Sequence, residues 1–420
     1  MGKSRFLEAH VLRLDAPNCL NRDDTGSPKT FTYGGTQRVQ QSSQSVKRPA
    51  RMAAQRRIKE DAENADSKLS VVLARRSVRQ AHRLSEQLTE EFPDPEERLA
   101  LSEYVLTKAK LSKKNKGNGV EEGVSLANLF LGDDELATIV AAVIAEKAAV
   151  VAAYEVFKAE EAEEVEESGE AEEAEESGET EKKDTSAKGG KKKDKTALPK
   201  AVLAAVKKGT RALGPNMFGR TLASFMEMNI VAACNVAHSM SVNEVRRADK
   251  GFYVSVDEHP KAGSAGAAFM GEDWTVSGAM YHYFVIDMEQ LRSNYDGDAA
   301  LAKTVALLML EELALARPVG QKATKASYTP PSYIRVRFSG KQPTQATNAF
   351  DPPVEPPDLM RKAVDRLEKH LALIDKVYPD DGRNFDTRVT LLDPVEGVTE
   401  FAGVTSESLP ALLEALSGVM

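Results

Sequence analysis

The sequence contains few of the residues that build disulfide frameworks or metal sites. Among its 420 residues there are two cysteines, Cys19 and Cys234, and six histidines. Two thiols offer no disulfide framework, which fits a reducing compartment. The histidines show no HxxxH or HxH spacing and have no cysteine partners at zinc-site intervals. We therefore expect no metal site and no cofactor.

Glycine-rich and nucleophile motifs are absent as well. The sequence contains no GxxxxGK[ST], no GxGxxG and no GxSxG, which excludes the common phosphate loops and nucleophile elbows. The adjacent acids Asp23 and Asp24 are candidates for holding a metal ion, although such pairs are usually solvated turn formers. We predict that the protein is not an enzyme. A metal-dependent RNA endonuclease that uses Asp23 or Asp24 is kept as an alternative.

Long apolar runs are also missing. The opening residues, MGKSRF, contain no apolar signal stretch. The most apolar helical run, residues 136–157, is interrupted by Glu146 and Lys147, which favours a buried helix over a membrane span. We expect a cytoplasmic protein with no membrane partner.

The net charge of −8 arises from a single segment. Residues 160–181 contain thirteen Glu and no Lys or Arg, and residues 182–195 contain seven Lys and two Asp. These sum to −13 + 5 = −8, so the other 384 residues are neutral overall. Such a tract cannot bury enough apolar surface to offset its chain entropy. We predict that residues 160–195 form a disordered insertion.

Acids are absent from one stretch near the start of the chain. Its basic side chains would supply sequence-independent contacts to phosphates, while Ser and Gln would position a nucleic-acid backbone. Gly35 would let the main chain approach a phosphate closely. Ser45 is predicted to cap a short helix beginning near Val46, with Pro49 in its first turn. The eight basic residues between Thr25 and Lys59 are Lys29, Arg38, Lys47, Arg48, Arg51, Arg56, Arg57 and Lys59.

Period-two and helical patterns divide the chain into three parts. Residues 6–16 read as a strand, and residues 59–214 read as helices with nothing strand-like among them. Strand patterns return at 280–288 and at 333–340, where Ile, Val and Phe alternate with Arg as in a half-exposed strand. This arrangement predicts one α+β domain that is interrupted by a helical insertion.

A further segment, residues 243–274, looks like a protruding hairpin. It combines an aromatic pair, Phe252 and Tyr253, with Arg246, Arg247 and Lys250 and a return rich in Gly and Ala. Exposed aromatic rings beside basic residues are suited to stacking on the bases of a single strand.

Several blocks of this sequence resemble the CasC family, which forms the repeated backbone of the type I-E Cascade, a CRISPR RNA-guided surveillance complex. The match covers both ends of the chain in order and is weak in the helical insertion. The blocks are HVLRLDAPNCLNRDD (10–24), YGGTQRVQQSSQSVKRPAR (33–51), FGR (218–220), NVAHSMSVNEV (235–245) and TNAF (347–350).

The resemblance implies a fold and a set of partners. The fold would be a palm with a modified RNA-recognition-motif (ferredoxin-like) architecture, a helical fingers insertion and a β-hairpin thumb. The palm would comprise residues 1–58 and 215–420, the fingers 59–214 and the thumb about 243–274. Several copies would line up along one CRISPR RNA, and each thumb would displace a base at regular intervals. The implied partners are CRISPR RNA, the target DNA strand through the guide, further copies of the chain, and the large, small, 5′-end and 3′-end binding subunits.

The resemblance also implies RNA-binding residues. The palm has no sequence like the RGFGFVxF motif of sheet-stacking RNA-recognition domains, so stacking on the sheet face is not expected. A stand-alone RNA-binding scaffold outside any CRISPR system is a second alternative. The family's RNA-backbone region matches Arg22, Ser42, Gln44, Ser45, Lys47, Arg48 and Arg51, and within the same blocks RNA contacts are expected for Asn21, Gly35, Arg38 and Ser43. A second RNA-facing loop matches Gly219 and Arg220, and the wedge of the thumb matches Phe252 and Tyr253.

Overall fold

The computed structural model forms two compact units. The first comprises Met1–Val71 and Ala232–Met420, and the second comprises Val72–Val231. Gly219 and Arg220, which were predicted in the palm, therefore lie in the second unit. The structure describes residues 4–63, 71–112, 122–126, 128–177, 196–223, 225–245, 248–259, 266–379, 383–392 and 403–420.

The first unit contains both strands and helices, whereas the second is mainly helical. The strands are β1 (Phe6–Asn18), β2 (Thr30–Tyr33), β3 (Thr36–Gln41), β4 (Ala74–Ser77), β5 (Leu129–Gly132), β6 (Cys234–Val236), β7 (Ser239–Ser241), β8 (Asp249–Val256), β9 (Ala267–Asp287), β10 (Tyr333–Ser339), β11 (Phe385–Thr390) and β12 (Val404–Thr405). The helices are α1 (Ser43–Ala62), α2 (Gln80–Gln87), α3 (Pro95–Lys108), α4 (Asp133–Ala145), α5 (Lys147–Ser177), α6 (Lys200–Val206), α7 (Leu213–Phe218), α8 (Met288–Asn294), α9 (Ala299–Leu315), α10 (Lys322–Lys325), α11 (Leu359–Val377) and α12 (Leu409–Val419).

The sheet of the first unit is built around β1. Its order is β12-β11-β10-β1-β9-β7-β3-β2, with β6 and β8 also paired to β9. β1 is antiparallel to both neighbours, and Leu7 lies opposite Phe338 on one side and Ile286 on the other. The predicted α+β architecture is thus observed. Its finer description as an RNA-recognition-motif palm stays a prediction.

Both faces of β1 are covered. Leu7, Ala9 and Val11 are buried on the face that packs on α9. Leu12 on the opposite face packs with Leu367 of α11. Because successive side chains of a strand point to opposite faces, helices close the sheet on both sides. The central sheet face is therefore not available for stacking on bases.

A buried layer of charge explains why β10 was wrongly predicted as half-exposed. All seven residues of β10 are buried. Arg335 donates hydrogen bonds to Glu368 at 2.9 Å and to Asp386 at 2.8 Å, and Arg337 lies 3.5 Å from Glu8. Buried arginines are tolerated when carboxylates pair with them, so the alternating pattern here indicates a polar layer within the core.

The second unit has its own core and its own small sheet. Leu84, Leu101, Leu131, Ile139 and Val202 are buried in one cluster drawn from α2, α3, β5, α4 and α6. β4 pairs antiparallel with β5, which corrects the prediction that nothing in the insertion is strand-like. The four-residue strands are too short to show a period-two pattern.

The acidic tract is partly helical. Helix α5 continues to Ser177, so residues 160–177 are not the disordered segment that was predicted. Glu and Ala are strong helix formers, and no proline interrupts them. The remainder of the tract, residues 178–195, lies outside the described residues. In the described part of the chain no single helix is long and apolar enough to cross a membrane, and the bent pair α4–α5 passes that test only jointly.

Candidate nucleic-acid interface

Helix α1 begins earlier than predicted. Its N-cap is Ser42, whose Oγ accepts a hydrogen bond from the backbone N–H of Ser45 at 3.3 Å. Ser45 is therefore in the first turn rather than at the cap, and its own Oγ donates to the Ser42 carbonyl at 2.6 Å. Pro49 lies inside the helix instead of in its first turn. Three of four consecutive residues, 42–45, are serines, so several residues were equally good caps by sequence.

Asn21 and His238 hold the start of α1 in place. The Ser42 N–H donates to Asn21 Oδ1 at 2.8 Å, and the Ser43 N–H donates to His238 Nδ1 at 3.1 Å. Asn21 and Ser43, both predicted to contact RNA, thus build the turn that presents α1. His238 was not singled out from the sequence, because only the paired strands bring it to this turn.

Arg38 was predicted to bind RNA, and the structure contradicts this. Its side chain is fully buried, at 0% exposure. The guanidinium donates to the carbonyls of Val242 at 2.6 Å and Phe350 at 2.9 Å, and Nε donates to Thr36 Oγ1 at 3.0 Å. Burial lowers the pKa of Arg38. Arg38 therefore ties β3 to two distant segments and cannot reach a phosphate.

The two glycines of the β2–β3 turn have different surroundings. Both have positive φ, +57° for Gly34 and +73° for Gly35, as the favoured two-residue hairpin turns require. A Cβ on Gly34 would collide with the Asp351 carbonyl, whereas one on Gly35 would meet nothing within 4 Å. Gly35 is thus exposed and open to a ligand. The TNAF block anchors this turn, because Tyr33 donates to Asn348 Oδ1 at 3.0 Å.

The remaining basic residues give α1 and its approach a positive surface. Arg57 is bound to Glu311 at 2.6 Å and Glu312 at 2.9 Å on α9. No acid lies in the first turn of α1. Gln44 is exposed beside the cap, and Lys29, Lys47 and Arg51 are half-buried. Arg22, Arg48, Arg56 and Lys59 are exposed.

Gly219 and Arg220 belong to the second unit, and Arg220 is not an RNA-facing residue. Its guanidinium is buried and forms a bidentate ion pair with Glu135 at 2.8 Å. It also donates to the Met228 carbonyl at 3.0 Å. The prediction failed because the partner is 85 residues away in the sequence. Gly219 ends α7 with φ +80°, a conformation that favours glycine.

The predicted hairpin is present as β8 and β9. Asp249–Val256 pairs with Thr275–Ala267, and every residue of β8 is exposed. Strand β9 continues without interruption from this hairpin into the centre of the sheet, where it pairs with β1. The hairpin is therefore an extension of a core strand. Arg246 and Arg247 lie outside the described residues.

Phe252 and Tyr253 lie on opposite faces of the hairpin, because adjacent residues in a strand alternate. Phe252 is 70% exposed, and Lys250 Nζ lies 6.0 Å from its ring and 5.4 Å from that of Trp274. Tyr253 is 50% exposed and packs across Gly271, with its ring 6.0 Å from that of Phe269. The two rings cannot form one wedge. The Lys250–Trp274 pair was missed, because the register shift between Ser255 and Val256 cannot be read from the sequence.

Asp23 acts as a turn former. Its Oδ1 accepts hydrogen bonds from the Thr25 N–H at 3.0 Å, the Thr25 hydroxyl at 2.7 Å and the Ser27 N–H at 3.0 Å. The bond from the Thr25 hydroxyl lowers the pKa of Asp23. Across the described ranges no group of three or more His, Cys, Asp or Glu side chains is arranged to hold a metal ion.

Comparison with known proteins identifies the family. The family model for CT1975-like protein matches residues 7–415, which is nearly the whole chain. The chain belongs to the CT1975-like protein family. A search of curated proteins finds no match.

Solved structures share the fold over the full length. One is a chain of a CRISPR RNA-guided surveillance complex described as pre-nicking, with a TM-score of 0.76, 23% identity, and coverage of 98% of this chain and 99% of that chain. Another is a chain of a CRISPR RNA-guided surveillance complex, with a TM-score of 0.69, 21% identity, and coverage of 99% and 100%. At these identities the similarity establishes the mixed α+β fold.

The predicted site residues of this family member thus have three different roles. Arg38 and Arg220 are structural, and Asn21 and Ser43 shape the start of α1. Charged and aromatic groups at α1 and at the hairpin remain exposed and suited to phosphates and bases.

Proposed function

We propose that this chain is the CRISPR RNA-binding backbone subunit of a Cascade-type surveillance complex. The observation that carries the proposal is the surface of α1. After Arg38 and Arg57 are bound internally, Arg22, Arg48, Arg56 and Lys59 remain exposed, and no acid lies in the first turn of α1. A guide-binding backbone requires such a surface, because it recognises backbone shape while base pairing provides the sequence specificity.

The finer proposal is that several copies line up along one RNA in a complex of type I-E. The membership in the CT1975-like family and the fold shared with chains of surveillance complexes support a subunit of such an assembly. The projecting hairpin supports contact with bases, since exposed aromatic rings can stack on an unpaired base. The partners would be the guide RNA, the target DNA strand, further copies and the remaining Cascade subunits.

The experiment is to purify the tagged protein from cells that carry a CRISPR array and to sequence the RNA that accompanies it. We expect RNA of uniform length in which repeat-derived ends flank spacers. A mixture of unrelated cellular RNA would contradict the proposal and favour the stand-alone RNA-binding scaffold.

A triple variant, Arg48→Ala, Arg56→Ala and Lys59→Ala, should fold normally and recover much less RNA. Lys376→Ala, which removes an exposed lysine from α11, is the matched control and should recover as much RNA as the wild type.

The endonuclease alternative is tested in the same material. We infer that Asp23 shapes a turn, so Asp23→Ala and Asp24→Ala should leave the integrity of bound RNA unchanged. Cleavage of bound RNA by the wild type that either variant abolishes would establish the alternative.

A further inference from the structure

The root of the β8–β9 hairpin is held by one lysine from a distant loop. Lys325 Nζ donates hydrogen bonds to Asp273 Oδ2 and, at 2.8 Å, to Thr275 Oγ1. The lysine side chain is only 13% exposed. Asp273 and Thr275 lie opposite Gly251 and Asp249, the last pairs before β9 enters the central sheet. The contact therefore sits where the projecting arm leaves the core.

The loop that carries Lys325, residues 316–328, is closely fixed. The lysine ends the single turn of α10, which lies between Gln321 and Ala326, two non-glycine residues with φ of +49° and +45°. Left-handed backbone at such residues persists only where the surroundings enforce it. The Arg317 guanidinium lies 4.1 Å from the Tyr328 ring and donates to the Ser327 carbonyl, which closes the loop on itself.

The same loop is connected to the start of α1 by a series of buried polar contacts. Arg13 donates to the Ala316 carbonyl at 3.0 Å and pairs with Asp15 at 3.1 Å. Gln41 Nε2 then donates to the other oxygen of Asp15 at 2.7 Å. Since Gln41 directly precedes the Ser42 cap, the loop, β1 and the start of α1 form one connected set of polar contacts.

The loop also approaches the segment that carries Arg22. A Cβ on Gly320 would collide with the Leu20 carbonyl, so the two backbones are in close contact. The loop that holds the hairpin root therefore also contacts the segment that leads into the turn formed by residues 22–28, the Arg22 turn.

We propose that Lys325 is a positioning residue that locks the root of the hairpin and fixes its direction relative to the Arg22 turn and the start of α1. The lock acts on the hairpin face that carries Tyr253, because Asp273, Gly271 and Tyr253 share that face by register. Its consequence for RNA rests on the proposed function, whereas its effect on the hairpin does not.

The first test measures hydrogen exchange in the RNA-free protein. Lys325→Met keeps the aliphatic stem and removes the charge. We expect backbone amides of β8 to exchange about tenfold faster, since a hydrogen bond to a charged group is lost at the root. Amides of β1 and β10 should be unchanged. Lys341→Met, at an exposed lysine, should leave both regions as in the wild type.

Restoring variants show whether Lys325 acts on the hairpin root specifically or on the stability of the whole protein. Protection of the β8 amides should return toward the wild-type level in Lys325→Arg. It should also return in the double variant Lys325→Asp, Asp273→Lys, which exchanges the two charges. Asp273→Asn alone should resemble Lys325→Met. Unchanged β8 exchange in Lys325→Met would overturn the proposal. Faster exchange in β1 and β10 as well, or no recovery in the restoring variants, would also overturn it.

The second test probes base reactivity in the RNA-bound protein. In Lys325→Met, the difference in probe reactivity between displaced bases and the other bases should fall by at least about twofold. The affinity for RNA at α1 should be retained. If the wild type binds no guide RNA, the proposed function fails, but the exchange result still stands. If β8 loosens while a clear base pattern is unchanged, the positioning role is overturned.

Discussion

Arginine serves opposite purposes in this chain, and burial distinguishes them. Arg38 and Arg220 are buried and donate to carbonyls or to Glu135, whereas Arg48 is exposed on α1. A buried guanidinium is stabilised by fixed acceptors and is expensive to remove. An exposed guanidinium contributes little to stability and is available for a phosphate. Stability and RNA affinity should therefore respond to different arginines.

The first prediction uses this contrast. Arg48→Ala should leave the free energy of unfolding nearly unchanged and weaken RNA binding equally for all sequences. The plot of log affinity against log salt should become less steep by about 0.7, the value for one phosphate contact on a single strand. Arg38→Ala should instead lower the free energy of unfolding by about 3–5 kcal/mol. An unchanged salt slope in Arg48→Ala, measured by filter binding, would contradict the assignment.

The second prediction concerns pH. His282 is buried with Nδ1 2.9 Å from Ser239 Oγ, and burial lowers its pKa to about 3. Its unfolded value is about 6.5, so below that pH the unfolded state takes up a proton that the folded state excludes. This contribution to stability is complete above about pH 6.5 and is lost as the pH falls, by up to about 1.4 kcal/mol per pH unit.

His282→Gln should remove that pH dependence. Between pH 7 and pH 5 the variant should lose less unfolding free energy than the wild type, as measured by urea denaturation at each pH. Equal losses in the two proteins would show that His282 does not stay neutral in the folded state.

At the scale of elements, the sequence was informative where patterns are local. The strand patterns at 6–16, 280–288 and 333–340 fall in β1, β9 and β10, and the hairpin was predicted from its composition. Whether an arginine is buried was not predictable, because Arg38 finds its acceptors more than 200 residues away. The same holds for Lys325, whose partners on β9 lie 50 and 52 residues away. Long-range pairing decides these roles, and no local pattern reports it.

The third prediction concerns the two hairpin aromatics. Because both rings are exposed, Phe252→Ala and Tyr253→Ala should each leave the RNA-free protein folded. Truncating an aromatic side chain in the core would instead lower the free energy of unfolding by about 3–5 kcal/mol. In the RNA complex, removing the ring that stacks on a base should weaken RNA binding by about 1–3 kcal/mol. Because the rings lie on opposite faces, the two variants should differ. Unfolding of either variant without RNA, seen by circular dichroism, would defeat the projecting-arm account.

For the whole molecule, the distribution of charge matters more than its sum. Residues 160–177 carry eleven Glu and no basic residue, and the other residues outside 160–195 are neutral overall. If the chain binds RNA as proposed, this acidic helix should repel nucleic acid that is not held by specific contacts.

The fourth prediction tests this effect. Replacing the eleven Glu of residues 160–177 by Gln changes the net charge from −8 to −8 + 11 = +3. Affinity for unrelated RNA should rise, and more at low salt than at high salt, because the effect is electrostatic. Gel-shift titrations at two salt concentrations would measure it. Equal affinity of the two proteins for unrelated RNA at low salt would contradict it.

We propose that repeated copies hold one guide RNA through α1 and contact its bases through the hairpin. Chemical probing of the RNA in the purified wild-type assembly tests this most directly, because a displaced base reacts with probes that a stacked or paired base resists. We predict reactive nucleotides at one regular interval along the guide, with the pattern weakened in whichever of Phe252→Ala and Tyr253→Ala removes the stacking ring. Uniform reactivity of all nucleotides along the RNA of the wild-type assembly would contradict this proposal.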